Sequence, residues 1–423
     1  MTKAVVIGGG LSGLVAAVQM ARRGRVVTVL EASSQLGGRA QTIVEDGFAM
    51  NLGPHALYRR AAEMLKALGV EVTWGIPKDG LTVEVGGRFA PLPVDAMSLL
   101  GNGALTWREK LRLGAFLGAV GRMDPTAYDD VTVEALFDDR RLEGAARGVA
   151  EAAVRVATYC NAPDRLSAGT AIRQIQAALP GVYYLDGGWV TILDGLRARA
   201  EALGVELRTS AKVEAVERGE RGLAVRLRGG EVIGASAVVI TVSPKACARL
   251  LGDAASDELR RFATDAIAVR AACLDVGLRR LPRRHPGLIL GTDEPIYVSN
   301  HGNVAKLAPE GAGLIHVARY LAPDEKVGPD TRRQLEGYLD LSQPGWRDEL
   351  VHARWAPAML VSSAMPEARR GGQAGRPRAD AAGVPGVVLA GDWVGPTGFL
   401  ADCAIASGLE AAERLTAAHR AAA

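Results

Sequence analysis

The first forty residues constrain this chain more than any other stretch. Ala4-Val5-Val6-Ile7 is a continuous apolar run, as expected of a parallel strand buried on both faces. It leads straight into Gly8-Gly9-Gly10-Leu11-Ser12-Gly13, which fits G-x-G-x-x-G, and Leu14, Val18 and Ala21 follow at helical spacing. Three of the glycines each have a steric task. Gly8 permits the sharp turn, Gly10 lets backbone approach a pyrophosphate, and Gly13 lets the helix pack close to the strand. The start of that helix offers N–H groups to an anion. A second apolar run, Val26-Val27-Thr28-Val29-Leu30, ends in Glu31, 18 residues beyond Gly13. A carboxylate there can accept both hydroxyls of an adenosine ribose and repels a 2′-phosphate. Strand, turn, helix, strand and acid in register predict a dinucleotide-binding unit, with NAD and FAD equally good at this point.

The same stretch has 18 uncharged residues between Lys3 and Arg22, enough to span a bilayer. Its clustered glycines and the lack of a small-residue cleavage pattern favour strand, turn and helix over an anchor or a signal peptide. The 423 residues suggest two or three domains, and 48% apolar with 23% charged residues is ordinary for a globular protein. A net charge of +3 is too weak a field to argue for a nucleic-acid partner. Cys160, Cys247, Cys273 and Cys403 include no C-x-x-C, so neither a metal cluster nor a disulfide framework is expected, and a reducing cytoplasm is the default location.

Gly37-Gly38-Arg39 separates the two cofactors. G-x-G-x-x-G, Glu31 and then L-G-G-R resemble the N-terminal signature of the flavin-containing amine oxidase and phytoene desaturase superfamily. The resemblance implies FAD, with Arg39 beside its pyrophosphate, where a guanidinium fork suits phosphate oxygens and keeps its charge. Met50-Asn51-Leu52-Gly53-Pro54-His55 looks like that family's next element, an extended segment passing the flavin, although the family usually has an acid where Asn51 stands. Tyr184 to Trp189 precedes an amphipathic helix with Ile192, Leu196, Ala200 and Leu203 on one face. Strand and hairpin patterns then run through Val205–Arg208, Val213–Val216 and Val225–Leu227 to the buried strand Ala237–Val242. In the family, the residue matching Val213 lends backbone groups to the adenine.

Val387-Val388-Leu389-Ala390-Gly391-Asp392-Trp393 reads as a strand ending in G-D, and Ala401 to Leu415 as a following helix. The resemblance places this Asp on the ribitol and points the helix N-terminus at the flavin pyrimidine, where its positive end stabilises charge left by hydride transfer. The cofactor-binding residues so implied are Gly8, Gly10, Leu11, Ser12, Gly13, Glu31, Ala32, Gly38, Arg39, Val213, Gly391, Asp392, Leu400 and Ala401. His55, Trp355 and Phe399, with Trp393 as an alternative to Phe399, are candidates to face the flavin ring.

A flavin needs position and electrostatics from the protein rather than an acid–base pair. Consistently, no G-x-S-x-G, H-E-x-x-H or metal-ligand spacing appears. A single nucleotide fingerprint disfavours a built-in NADPH site. Gly371 to Gly375 reads as a surface loop, and the Arg279–Arg284 and Arg369–Arg378 clusters read as solvated loops. Lys306 reads as an exposed turn residue. Arg108 to Met123 is amphipathic, with Leu113, Phe116, Leu117 and Val120 at helical spacing. Packing against the core is the simpler reading of that face, with docking on a membrane surface the alternative.

The expected fold class is α/β, a discontinuous Rossmann-like FAD-binding domain (residues 1–60, 182–245 and 385–423) with an inserted α+β substrate domain (61–181 and 246–384). The expected activity is dehydrogenation of a largely apolar small molecule, such as an isoprenoid or polycyclic intermediate, with electrons leaving to oxygen, a quinone or another acceptor. An amine oxidase or protoporphyrinogen-type oxidase is the first alternative and a flavin-dependent isomerase the second.

Overall fold

The computed structural model describes residues 3–52, 56–77, 80–219 and 222–422. Five short strands form a parallel sheet in the order Val387–Leu389, Ala237–Ile240, Lys3–Ile7, Val26–Leu30 and Glu206–Arg208. The first strand of the chain thus lies two places from its last. Both faces of this sheet are covered, which is why its strands read as unbroken apolar runs. Ala4 and Val6 point to one side, into a core shared with Leu14, Val15 and Val18 of helix Leu11–Arg22, Ile192 and Leu196 of helix Val190–Ala202, and Ile405 and Ala412 of helix Leu400–Ala422. Val5 and Ile7 point to the other, against the antiparallel strands Val213–Gly219, Gly222–Leu227 and Val232–Ala235 and helices Pro244–Leu251 and Asp257–Asp265.

A second sheet has seven strands, in the order Leu350–Ser362, Val269–Leu278, Gly313–Leu321, Ile296–Asn300, Leu288–Gly291, Leu81–Val85 and Arg88–Pro91. All neighbours are antiparallel except Leu288–Gly291 and Leu81–Val85. Its side chains alternate, so Leu274, Val276 and Leu278 pack under helix Pro329–Ser342 with Leu335 and Leu339, whereas Ala271 and Cys273 face Ala152 of helix Gly144–Thr158. Helices Trp107–Val120, Gly144–Thr158 and Ala168–Ala178 share one further core. Two of them begin with side-chain caps: Thr106 and Glu109 form a reciprocal capping box, and the Ser167 hydroxyl accepts from Thr170 N at 3.2 Å.

Strands from residues 81–91 and 269–362 share one sheet, so the two segments assigned to the substrate domain meet there. The packing crosses the boundaries drawn at 60, 245 and 384, however. Ala61, Leu65, Leu68 and Val70 belong to the same core as Leu14, and Cys247, Leu259, Phe262, Ala364 and Ala379 to the same core as Val5. These flanking pieces carry apolar faces that the parallel sheet's own layers bury.

Candidate functional site

A cavity of about 700 Å³ runs between the parallel sheet and the helices over the seven-stranded sheet. Its polar end is built on the glycine loop. Gly8 has φ +106°, and a Cβ there would lie 2.5 Å from Thr241 Oγ1, whose hydroxyl reaches Ile7 O and Gly8 O at 2.9 and 3.1 Å. A Cβ on Gly13 would stand 1.9 Å from Gly8 O, so helix and strand approach too closely for any side chain. Gly10 differs. Its nearest neighbour to a Cβ would be Gly37 O at 3.9 Å, and the facing Gly38 has only Gly10 Cα within range, at 3.7 Å. Both line the cavity with no protein atom crowding them, so packing does not require Gly10 to be bare, whereas Gly38 also has φ +53°, a backbone conformation that favours glycine.

Helix Leu11–Arg22 begins here with no side-chain cap and no acid in its first turn, leaving its leading amides to the cavity side. Glu31 sits beside them. Its Oε2 accepts from Gly9 N at 2.7 Å and its Oε1 from Ser33 N and Oγ, both at 2.8 Å. Lone pairs remain on a carboxylate so placed.

Arg39 and Asp392 close the middle of the cavity as a two-pronged pair, Nη1 to Oδ2 at 2.8 Å and Nη2 to Oδ1 at 2.9 Å. Ser363 N donates to Asp392 Oδ2 at 2.8 Å and Arg39 Nη1 also reaches Val361 O. Burial pushes the Asp392 carboxyl upward, but the guanidinium charge and these donors outweigh it and hold the group at about 2. Helix Leu400–Ala422 also starts at the cavity: Leu400, Ala401 and Ala404 line it, with Leu400 at φ +54°, a conformation costly for a residue with a Cβ. Arg376 braces this corner. It is buried, and it donates to Gly398 O at 2.7 Å and to Asp392 O at 3.5 Å. The expected surface loop is therefore corrected at Gly372, Gln373 and Arg376, all buried, because carbonyls of the G-D turn and the helix entry need that guanidinium.

The other end of the cavity is apolar. Helix Trp107–Val120 contributes Leu113, Leu117 and Val120, and helix Gly144–Thr158 contributes Val149, Ala153 and Val156. Ile175 and Leu179 lie beyond, with Leu81, Leu288 and Tyr297 from the sheet. Among the described lining residues, the charged ones are Glu31, Arg39 and Asp392, all at the polar end. Tyr58, Tyr159, Tyr184 and Tyr297 supply hydroxyls in the wall.

Of the residues singled out in the sequence, Gly8, Gly10, Leu11, Ser12, Glu31, Gly38, Arg39, Gly391, Asp392, Leu400 and Ala401 come together along this cavity. Gly13 lies behind it in the helix–strand contact, Ala32 is exposed, and Val213 is buried in the core beneath the antiparallel strands. The ring-facing candidates fare differently. Trp355 is opposite Leu274 in the sheet and packs on the side of helix Pro329–Ser342, away from the cavity. Phe399 is buried in the helical core with Phe116 and Phe137. Trp393 stacks on Phe262 with centroids 5.8 Å apart, its Nε1–H donating to Val242 O. His55 lies outside the described residues. Asn51 accepts through Oδ1 from Trp189 N at 2.9 Å and so braces the chain locally. Lys306 is exposed and does not reach the cavity wall.

Sequence reasoning missed Trp189, Thr241 and the four tyrosines. Trp189 carried the one available signal, a large aromatic after a double glycine. It is fully buried, lines the cavity, and its Nε1–H has no acceptor among the described residues.

The family profile described as "Flavin containing amine oxidoreductase" matches residues 11–416. The chain belongs to that family. It is 26% identical over 416 residues to hydroxyneurosporene desaturase of Rubrivivax gelatinosus, covering 86% of this chain and 77% of that protein. It is 25% identical over 401 residues to the zeta-carotene-forming phytoene desaturase of Myxococcus xanthus, covering 79% and 74%. Its fold resembles that of cyclohexylamine oxidase from Brevibacterium oxydans, with a TM-score of 0.74, 15% identity and 99% of each chain covered. The protein is an FAD-dependent oxidoreductase with an α/β FAD-binding fold. The cavity's polar end fits the cofactor: bare Gly10 and Gly38 leave a cradle that a Cβ would fill, beside an uncapped helix start and the unpartnered Trp189 Nε1–H. No helix among the described residues is long and apolar enough to cross a membrane.

Proposed function

We propose that this oxidoreductase dehydrogenates a largely apolar, isoprenoid-like or polycyclic small molecule held in the chamber beside its FAD. FAD supplies the hydride acceptor. Gly8, Gly10, Leu11, Ser12 and Gly38 would receive its phosphates on backbone, Glu31 its ribose, Arg39 and Asp392 the stretch between, and the start of helix Leu400–Ala422 its ring. Arg39 keeps Asp392 ionised, so this part of the site stays polar and fixed over the physiological pH range. Gly13 acts from behind by setting the helix position. Ala32 and Val213, off the cavity wall, are left out of this assignment.

One observation carries the substrate class: no charged side chain among the described residues lines the chamber end. A hydrocarbon brings no charge that must be stripped of water on entering such a site and gains ~25 cal/mol per Å² of apolar surface buried. An ammonium or a carboxylate would be stripped of water there without a partner, which disfavours an amine or a porphyrinogen acid. The desaturase relatives, matched over about three quarters of their length, support this choice.

The mouth suggests where such a substrate comes from. Val94 and Leu179 line the cavity yet are largely exposed, and Met97 (84%), Leu100, Trp107 (65%) and Leu111 are exposed on the adjoining helices Ala96–Gly101 and Trp107–Val120. This rim, with Arg108 and Lys110 beside it, is assigned to a lipid surface from which the substrate enters.

Anaerobic mixing of the holoenzyme with an isoprenoid polyene tests the reaction. Bleaching of the flavin absorbance and a product lacking two hydrogens support dehydrogenation. A rearranged product of unchanged mass without lasting bleaching would replace it with isomerisation, and bleaching by primary amines alone would replace it with amine oxidation.

A further inference from the structure

Three phenols pack together where helix Gly144–Thr158 ends over the seven-stranded sheet. Tyr297 and Tyr320 stack with ring centroids 5.6 Å apart, and Tyr159 stands edge-on to both, at 6.3 and 5.5 Å. Tyr159 and Tyr297 line the apolar chamber. Their hydroxyls lie 3.3 Å apart, and among the described residues that contact is the one side-chain hydrogen bond the trio makes. Two hydroxyls sharing one bond use one hydrogen, so the second hydrogen and the remaining lone pairs have no protein partner among the described residues. Burial raises both phenols well above their ordinary pKa, which keeps them neutral and able both to donate and to accept.

Packing does not explain these hydroxyls, because phenylalanine would fill the same space and leave no polar group half satisfied. Their placement is nevertheless enforced. Tyr159 has φ +60° at the end of its helix, a left-handed conformation that a residue with a Cβ adopts only at a cost. The Tyr297 ring packs 5.5 Å from His316, which is hydrogen-bonded to Asp275, and Arg354 Nε donates to the same carboxylate at 2.8 Å. A strained backbone on one side and a buried ionic network on the other hold two incompletely bonded hydroxyls in an uncharged wall, whose other tyrosines, Tyr58 and Tyr184, bond to Ala157 O and Ser299 Oγ.

We propose that Tyr159 and Tyr297 form a receptor for a single oxygen function, a hydroxyl or a carbonyl, on an otherwise hydrocarbon substrate. This rests on the apolar-substrate reading and narrows it. An oxygen at that point completes the pair's hydrogen bonding, whereas a pure hydrocarbon leaves it open, and a site built to bond an oxygen discriminates against the analogue lacking it.

The test titrates the FAD-loaded enzyme with a long-chain isoprenoid alcohol and with the hydrocarbon lacking only its hydroxyl, following the flavin difference spectrum. The wild type should bind the alcohol about five- to tenfold more tightly, the worth of one net hydrogen bond. Tyr159→Phe and Tyr297→Phe should erase that preference, by weakening the alcohol, tightening the hydrocarbon or both, while leaving flavin content unchanged, which also reports intact folding. Equal binding of both ligands by the wild type, or a preference that survives the double substitution, overturns the receptor and leaves the apolar-substrate reading standing. Failure of both ligands to bind overturns both readings.

Discussion

At the cavity end bounded by Gly10, Arg39 and Asp392, positions are fixed by backbone and charge. At the end bounded by Leu117, Ile175 and Leu288, they are fixed mainly by side-chain volume. The first kind of site depends on single atoms, because a Cβ on Gly13 meets Gly8 O and the Asp392 carboxylate has one guanidinium partner. The second depends on a sum of contacts spread over three helices and a sheet, none of which decides it. The contrast matches the division of labour: the cofactor is one invariant molecule, whereas an apolar substrate needs mainly a dry space of the right shape.

The contrast is sharpest within the glycine loop. Gly13→Ala should destabilise the protein by about 4 kcal/mol or more, because the new methyl overlaps backbone that cannot move without parting helix from sheet. Gly10→Ala should leave the cofactor-free protein within ~0.5 kcal/mol of wild type while weakening FAD binding about tenfold or more, since only the ligand needs that space. Urea melts of the apoproteins with FAD titrations separate the two. Equal losses of stability would show that both glycines serve packing.

Arg39→Ala comes next. It leaves Asp392 buried without its partner, at a cost of about 3 kcal/mol together with loss of FAD. Denaturant midpoints and the flavin content of the purified variant report it, and an unchanged midpoint would mean that the pair contributes nothing to the fold.

Asp402, ten residues on, shows what a carboxylate does without such a partner. Burial pushes it up to about 6 against the opposing charge of Arg60, and its Oδ2 has no hydrogen-bond partner among the described residues. A carboxyl raised in the folded state contributes stability below its ordinary value near 4 and loses it as pH rises through 6. Asp402→Asn cannot ionise, so it should exceed wild type by about 2–3 kcal/mol above pH 7 and equal it below pH 4. A difference that does not vary with pH would show that the carboxyl titrates alike in the folded and unfolded chains.

The smallest structural effect is expected in the chamber. Ala153→Phe, which adds a ring to a wall facing open space, should change stability by less than ~1 kcal/mol and keep FAD, yet slow substrate reduction about tenfold or more. Flavin content and anaerobic reduction rate, read on the same sample, check this.

The polar end was legible in the sequence because its demands are local and steric. A turn that admits only glycine, and an acid at the tip of the next strand, leave a pattern in consecutive residues. The chamber was not legible, since Leu113, Ala153, Ile175 and Leu288 share no spacing until helices and sheet assemble. Trp355 shows the limit clearly. Both faces of its strand meet other groups, and pairing with Val269–Leu278 shifts register between Ala271 and Cys273, so parity counted along the sequence does not say which face a given residue takes. Arg376 misled for another reason. Among so many arginines beside Pro and Gly it looked solvated, and only the folded chain reveals the carbonyls that it serves.

The most direct measurement is a crystal structure of the FAD-bound protein soaked with a long-chain isoprenoid. Expected is density for the phosphates against Gly10 and the start of helix Leu11–Arg22, with the hydrocarbon lying among Leu117, Val120 and Ile175. Phosphates found elsewhere, or a flavin ring occupying those three side chains with no room left for a second molecule, would contradict a cavity shared between cofactor and apolar substrate.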